Sequence, residues 1–305
     1  GSVPPHIAEL TVKGLHDPVN SLLVFSALPK DAAETREVEL AAAGHIVCTN
    51  ASVNRMVEDV PLLLPEVNAA HTALIDVQRR NRGWTSGALV ANANCTVMPV
   101  VMALAPLKPF GIRKLFMVSA QATSGAGYPG VASLDILDNV IPYVGGDEQK
   151  METESLKMLG DFNGSEIDWL PTKTSATCTR VPVVDGHLVS ISVELANPPS
   201  IEDMIDLWNE YRAPMPIPML PSAPEQPLIY LPQIDRPQTR RDRNAGGGMS
   251  TSLGRLRDCA LLTYKFAALS HNTIRGAAGC SILNAELLAV QGYIGAFQPA
   301  AEMRV

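Results

Sequence analysis

The stretch "GALVANANCTVMPVV", residues 87–101, sets two apolar runs on either side of a polar corner and puts one cysteine, Cys95, at that corner. The first run, "ALVAN" (88–92), reads as a buried strand, and a helix is expected to begin near Cys95. Upstream the same alternation recurs. "NSLLVFSALP" (20–29) reads as a buried strand, "KDAAETREVELAAAG" (30–44) as a helix with Asp31 near its start and Gly44 as its stop, and "HIVCT" (45–49) as the next strand. A loop over 50–68 and a helix from about Asn68 to Arg80 lead back to the quoted strand. Strand and helix in turn imply parallel βαβ units. Parallel sheets bind ligands at the carboxyl ends of their strands, which is where Cys95 stands.

Beyond this unit the pattern changes. A strand is expected over 113–124, followed by the glycine-rich "SGAGYPG" (124–130) and an acidic helix over 147–160. "TSATCTRVPVV" (174–184) and "LVSISVEL" (188–195) read as a hairpin around Asp185-Gly186, a favoured tight-turn pair. Ser200 is expected to cap a helix over 201–211. Six prolines between Pro214 and Pro227 forbid regular helix there. A strand over 248–258 and a small-residue-rich helix over 272–293 complete the reading. The expected fold class is α/β: a nucleotide-type domain, a mixed α+β middle, and a last helix returning to the first domain.

The 305 residues are 46% hydrophobic and 18% charged, a globular composition with ample core material. A formal net charge of -7 argues against a nucleic-acid partner, which demands a basic face. The longest apolar run, "VMPVVMALAPL" (97–107), is broken by prolines, so no transmembrane helix and no membrane partner are expected. "GSVPPHIAEL" has neither a basic start nor an apolar stretch, so no signal peptide is expected. The five cysteines are widely spaced, with no CxxC, which argues against a disulfide framework or a metal site. A cytoplasmic, reducing location follows.

A thiol at a helix start gains from the N–H groups and partial positive charge there, both of which favour thiolate. The plainer reading of Cys95 is a small buried hydrophobe. Core or incidental roles suit Cys48, Cys178, Cys259 and Cys280. A nucleophilic thiol wants a histidine, but five cysteines and six histidines allow thirty pairings, and the residue pattern alone selects none.

Taken in order, "NANCT", "SAQATSGAGYPG", "LDILDNVIPYVGG", "RVPVVDGH" and "SHNTIRGAAG" resemble aspartate-β-semialdehyde dehydrogenase in its archaeal and fungal form, over nearly the whole chain. The resemblance implies NADP-dependent reduction of aspartyl-β-phosphate to the semialdehyde, on the path to lysine, methionine and threonine. It makes Cys95 the nucleophile that carries the acyl group as a thioester, Gln121 the glutamine that orients it, and His187 the acid/base. Arg180, seven residues before His187, becomes the clamp on the substrate α-carboxylate. Seven is an odd step on an extended strand, but a chain reversal at Asp185-Gly186 can bring both residues into one pocket. A guanidinium fork suits a carboxylate. Arg55, Asn94 and Lys150 match the phosphate site. Lys150 is equally an exposed helix charge paired with Asp147 or Glu154. The substrate ammonium is assigned to Asp147, three residues before Lys150 in "GGDEQK", with Glu148 as the alternative.

On the cofactor side, Ser26, Ala27 and Leu28 in "FSALP" match the loop beside the nicotinamide ribose, Asn272 the asparagine near the nicotinamide amide, and Ser124 and Gly125 further cofactor contacts. The family's glycine-rich GxxGxxG turn does not stand before "LVFSALP". The fold implied is therefore a Rossmann-type domain, N-terminally incomplete, over 1–94 with the helix 272–305. It is joined to a catalytic and dimerisation domain over 95–271, of the type found at the C-terminus of glyceraldehyde-3-phosphate dehydrogenase. The family implies a homodimer or homotetramer. Two alternatives stay open: a reductase of another acyl thioester, such as malonyl-CoA, and an inactive fragment serving only as a dimerisation unit.

Overall fold

The computed structural model describes residues 3–295. A short helix α1 (Pro5–Ala8) precedes β1 (Leu23–Ser26), α2 (Lys30–Ala42) and β2 (Ile46–Thr49). β3 (Leu62–Leu63), α3 (Pro65–Asn68), α4 (Leu74–Arg82), β4 (Ala88–Asn92) and α5 (Val97–Leu104) follow. Next come β5 (Ile112–Gln121), α6 (Ser133–Ile136), α7 (Asp147–Met158) and the small pair β6 (Asp161–Phe162) and β7 (Ile167–Asp168). β8 (Lys173–Arg180), β9 (His187–Leu195), α8 (Ile201–Glu210), β10 (Leu228–Leu231), α9 (Thr239–Asp242), β11 (Thr251–Asp258) and β12 (Tyr264–Ser270) lead to a π-turn (Ile274–Ala278) and α10 (Gly279–Val290). The ends of the expected first domain, 1–2 and 296–305, lie outside the described residues.

The first sheet is parallel, in the order β1-β2-β4-β3, so the expected βαβ alternation holds. Several details differ from expectation. β1 is the outermost strand and not a buried one: Phe25 is half exposed. The expected loop over 50–68 contains β3 and α3, because Leu62, Leu63 and Leu64 are fully buried and "LL" pairs with Ala91 and Asn92 of β4. α10 packs back onto this sheet through Ala285 and Leu288, against Ile46, Cys48, Ala88 and Val90. The single helix expected over 272–293 is divided into the π-turn and α10.

The second sheet runs β10-β11-β12-β9-β5-β8. This overturns the hairpin expected between 174–184 and 188–195. β8 pairs with β5 in parallel and β9 pairs with β5 antiparallel, so β5 lies between them. The chain does reverse near Asp185, but only after crossing the carboxyl end of β5. Val181 N–H donates to Gln121 O at 3.0 Å, and Thr123 and Ser124 N–H donate to Val183 and Val184 O at 2.8 and 3.1 Å. The crossing segment's backbone is thus satisfied by the continuation of β5, which a tight hairpin would not offer.

α5 is buried at all eight of its residues and packs between α7 and the inner face of the six-stranded sheet. The main core joins Val97, Val101 and Leu104 of α5 to Leu115, Met117, Val189, Ile191, Phe266 and Trp208. The Trp208 indole N–H donates to Ala103 O at 2.9 Å, so its burial leaves no donor unpaired. The core therefore fixes α5, and with it the turn that carries Cys95.

Candidate active site

The turn before α5 is built by Asn94. Its carbonyl accepts from Val97 and Met98 N–H, and its Oδ1 accepts from Thr96 N–H at 2.8 Å. Cys95 is held between these bonds at the mouth of a cavity of about 460 Å3. The cavity lies at the carboxyl ends of the parallel strands and is closed by the glycine-rich loop and the π-turn. Nine residues singled out in the sequence line it: Arg55, Asn94, Cys95, Ser124, Gly125, Asp147, Lys150, Arg180 and Asn272. A cavity of similar size, about 490 Å3, lies around His71, Lys108 and Met215 and holds no cysteine.

Three chain segments bring the charges together. α7 carries Asp147 and Lys150, whose side chains pair at 2.7 Å. The pairing read as the plain alternative for Lys150 therefore exists, and both residues still line the cavity. Asn94 Nδ2 donates to Asp147 Oδ1 at 3.1 Å. Arg55 donates to Glu154 at 3.2 Å and to Asn50 O at 2.8 Å. Glu154, buried on α7, also accepts from Asn94 N–H at 2.6 Å. Burial pushes the Glu154 carboxyl up, against the pull of Arg55. Glu148 faces elsewhere: it accepts from Cys178 N–H at 3.0 Å and caps the outer edge of β8.

Cys95 is half-buried, and its thiol is pushed up to about 11, first by desolvation and then by Asp147. Arg55, a Thr96 hydrogen bond and Arg180 pull the other way without prevailing. The expectation that the helix start favours thiolate is therefore not met. α5 begins at Val97, two residues past the sulfur, and desolvation of a charge outweighs a partial dipole. Cys48 and Cys280, both buried, are pushed up to about 12.

His187 and Gln121 are fully buried behind the cavity wall. His187 Nδ1 accepts from Ala122 N–H at 3.0 Å, which places the ring proton on Nε2. Nε2 has no protein partner. Burial and Arg180 pull the imidazole down to about 3, so it is neutral. The wall residue between is Gly125: a Cβ there would lie 2.9 Å from His187 Nε2 and from Arg180 Nη1. Gly276 does the same for the thiol, since its Cβ would lie 2.5 Å from Cys95 Cβ. Both walls are bare backbone by necessity. Arg180 donates to Ala122 O at 2.6 Å, and burial lowers its pKa.

Asn272 donates to Ser124 Oγ at 2.8 Å and accepts from Gly186 N–H at 2.7 Å, tying the two loops that frame the cavity. Ser26, Ala27 and Leu28 are not among the lining residues. Ser26 is buried and donates to Glu37 at 2.6 Å; its carbonyl accepts from Asn50 N–H, and Asn50 lines the cavity. Sequence reasoning missed Asn50, Ser52, Thr273, Gly276, Ala277 and the buried Glu154. A signal existed for Glu154, which is one helical turn beyond Lys150 on the same face. No grouping of three metal-ligating side chains exists among the described residues.

Comparison with known proteins gives two family matches: "Semialdehyde dehydrogenase, NAD binding domain" over residues 4–75 and "Semialdehyde dehydrogenase, dimerisation domain" over residues 104–275. The chain is 50% identical over 270 residues to an aspartate-semialdehyde dehydrogenase of Archaeoglobus fulgidus, covering 88% of this chain and 77% of that one. It is 41% identical over 304 residues to that of Trichophyton rubrum, covering 96% and 84%. The crystal structure of aspartate semialdehyde dehydrogenase with NADP from Candida albicans superimposes with a TM-score of 0.86 at 39% identity, covering 96% of this chain and 85% of that one.

Proposed function

The chain belongs to the aspartate-semialdehyde dehydrogenase family, and we propose that the cavity at Cys95 is where it reduces aspartyl-β-phosphate to aspartate-β-semialdehyde with release of phosphate, using NADPH. The observation that carries the reading is the convergence of one thiol, three cations (Arg55, Lys150 and Arg180) and one carboxylate (Asp147) on a single cavity. The substrate offers an acyl carbon, a carboxylate, a phosphate and an ammonium, and the two sets are complementary.

Arg180 holds the α-carboxylate, and Asp147, not Glu148, takes the ammonium, since Glu148 is spent on β8. Arg55, Lys150 and the Asn94 amide take the phosphate. Cys95 Sγ attacks the acyl carbon, a C–S bond forms and the C–O bond to phosphate breaks. The thiol proton leaves on the departing phosphate oxygen as hydrogen phosphate, so a protonated thiol suffices as the resting form. Gln121 orients the acyl group. His187 Nε2–H stabilises the charge that develops on the acyl oxygen, because its only free position is a donor.

The residues fit a nicotinamide cofactor: the cavity is walled by side-chain-free Gly125, Gly127, Gly145 and Gly276 and reaches Asn50 at the end of β2. Ser124, Gly125 and Asn272, which line the cavity, would hold it, with the Ser26–Leu28 loop, outside the lining, beside it behind Asn50. When bound, NADPH supplies the two electrons that convert the thioester to the aldehyde. Of the division read from the sequence, the described residues 3–94 with 272–295 make the cofactor side and 95–271 the catalytic and dimerisation side of this arrangement. Assembly is as a homodimer or homotetramer through the second part, and the location is cytoplasmic. No helix among the described residues is long and apolar enough to cross a membrane.

The test is the oxidative direction, with semialdehyde and NADP. Inorganic phosphate should support NADPH formation and coenzyme A should not. Turnover with coenzyme A in place of phosphate would make the chain a reductase of another acyl thioester.

A further inference from the structure

Lys157 has no part in the chemistry above, yet it is one of the most buried side chains in the protein, at 2% exposure. Its ammonium donates to three backbone carbonyls, Arg55 O at 2.9 Å, Val57 O at 2.8 Å and Val60 O at 2.9 Å. All three lie on one six-residue stretch, 55–60, that has no helix or strand of its own. A buried ammonium is costly even when fully hydrogen-bonded, and a leucine would pack this helix face without that cost. What the ammonium adds is the shape of the stretch.

That stretch carries Arg55, and α7 grips Arg55 at both ends. Lys157 holds its carbonyl, and Glu154, one turn earlier on the same helix, holds its guanidinium at 3.2 Å. One turn and two turns further back on α7 stand Lys150 and Asp147, both in the cavity wall. One rigid helix therefore sets the distance between the two cations read above as the phosphate clamp.

We propose that Lys157 is a positioning residue for phosphate: its ammonium fixes the 55–60 stretch so that Arg55 and Lys150 present a single preformed anion site. This rests on the reading of Arg55 as a phosphate contact. Supporting it, burial lowers the ammonium to about 8, while Asp59, Glu154 and Glu58 favour its charged form. Glu166 lines a further cavity with it and Glu58, and His71 stands near enough that Lys157 helps to lower its pKa. Above about pH 8 the neutral amine has two hydrogens for three carbonyls, and the stretch loosens.

The experiment measures KM for inorganic phosphate, NADP and semialdehyde in the oxidative direction between about pH 7 and pH 9. In the wild-type protein the phosphate KM should rise several-fold across this range while the other two hold. Lys157→Met should raise the phosphate KM about tenfold or more, through misplacement of a binding group, and should do so equally at every pH. Lys157→Arg, which stays charged, guards against a simple folding defect: it should abolish the alkaline rise. A wild-type phosphate KM that does not change with pH, or a rise that persists in both variants, overturns the proposal. Arg55→Lys is measured alongside. If it raises the phosphate KM and the Lys157 variants do not, the inference fails and the reading of Arg55 stands. If Arg55→Lys leaves the phosphate KM unchanged, that reading fails and takes the inference with it.

Discussion

The Nδ1 of His187 accepts a hydrogen bond from the backbone N–H of Ala122 at 3.0 Å, at the point where β5 ends. One backbone amide thereby decides what the ring can do. Nε2 must carry the proton, and the ring meets the cavity wall as a neutral donor.

The first prediction concerns pH and activity. Because burial and Arg180 take His187 down to about 3, its ionisation should not appear near 6.5 in the profile of kcat/KM. His187→Gln keeps an N–H donor but misplaces it, and should cost about two to three orders of magnitude in turnover. A wild-type inflection near 6.5 that disappears in His187→Gln would show that the ring titrates in the working enzyme.

The second concerns pH and stability. His187 and His71 are both held below the ordinary 6.5, at about 3 and about 4, each chiefly by burial. The unfolded chain binds more protons than the folded one between those values and 6.5. Stability is therefore fully present above 6.5 and declines as pH falls below it. Each histidine contributes up to about 1.4 kcal/mol per pH unit to the decline. Urea unfolding at about pH 7 and pH 5 should show a smaller loss in His71→Gln than in the wild type. Equal losses would mean that His71 does not titrate on unfolding.

The third concerns the thiol. With Cys95 at about 11, its alkylation should accelerate about tenfold per pH unit well past neutrality, as thiolate does. Peptide mapping after iodoacetamide treatment at several pH values reads this directly. A rate that plateaus below pH 8 would indicate a thiolate already formed. Cys95→Ser should lose turnover by orders of magnitude, since an alkoxide forms far less readily than a thiolate.

The fourth concerns the walls. Gly276→Ala places a methyl 2.5 Å from Cys95 Cβ and 3.1 Å from its Cα, neither of which is a flexible chain end. The sulfur must move, and a displacement of about 1 Å costs about a hundredfold in rate. Circular dichroism should show the fold retained. Unchanged turnover in Gly276→Ala would mean that the π-turn does not set the thiol's position.

The fifth concerns the π-turn's anchor. Arg275, fully buried, forms two 2.7 Å bonds to the carboxylate of buried Glu66. Arg275→Met strands that carboxylate and should cost about 3–5 kcal/mol in urea unfolding. Replacing both partners by apolar residues should recover much of it. A loss under about 1 kcal/mol in the single variant would show that the pair contributes little.

Local pattern made the parallel unit legible. "HIVCT" and "ALVAN" are apolar runs of strand length, and Ser200 caps its helix through Asp203 N–H at 3.0 Å as its position implies. Order along the chain also placed Cys95 at a strand-to-helix corner, and the motif resemblance selected nine residues that line one cavity. The strands, the cap and the corner depend on neighbours in sequence, which is what periodicity and turn chemistry report; the nine cavity residues rest on the resemblance alone.

Three things were settled only in three dimensions. The partner of β9 was one: a turn at Asp185 says the chain reverses, but not that β5 will occupy the space between the two arms, since strand pairing is decided by non-local hydrogen bonds. The ionisation of Cys95 and His187 was another, because desolvation depends on what the rest of the chain packs around a group. The third was the pairing of Arg55 with Glu154 and of Arg275 with Glu66, partners 99 and 209 residues apart. No spacing rule reaches that far; only the closing of the core around α5 and α10 brings such charges within a hydrogen bond of each other.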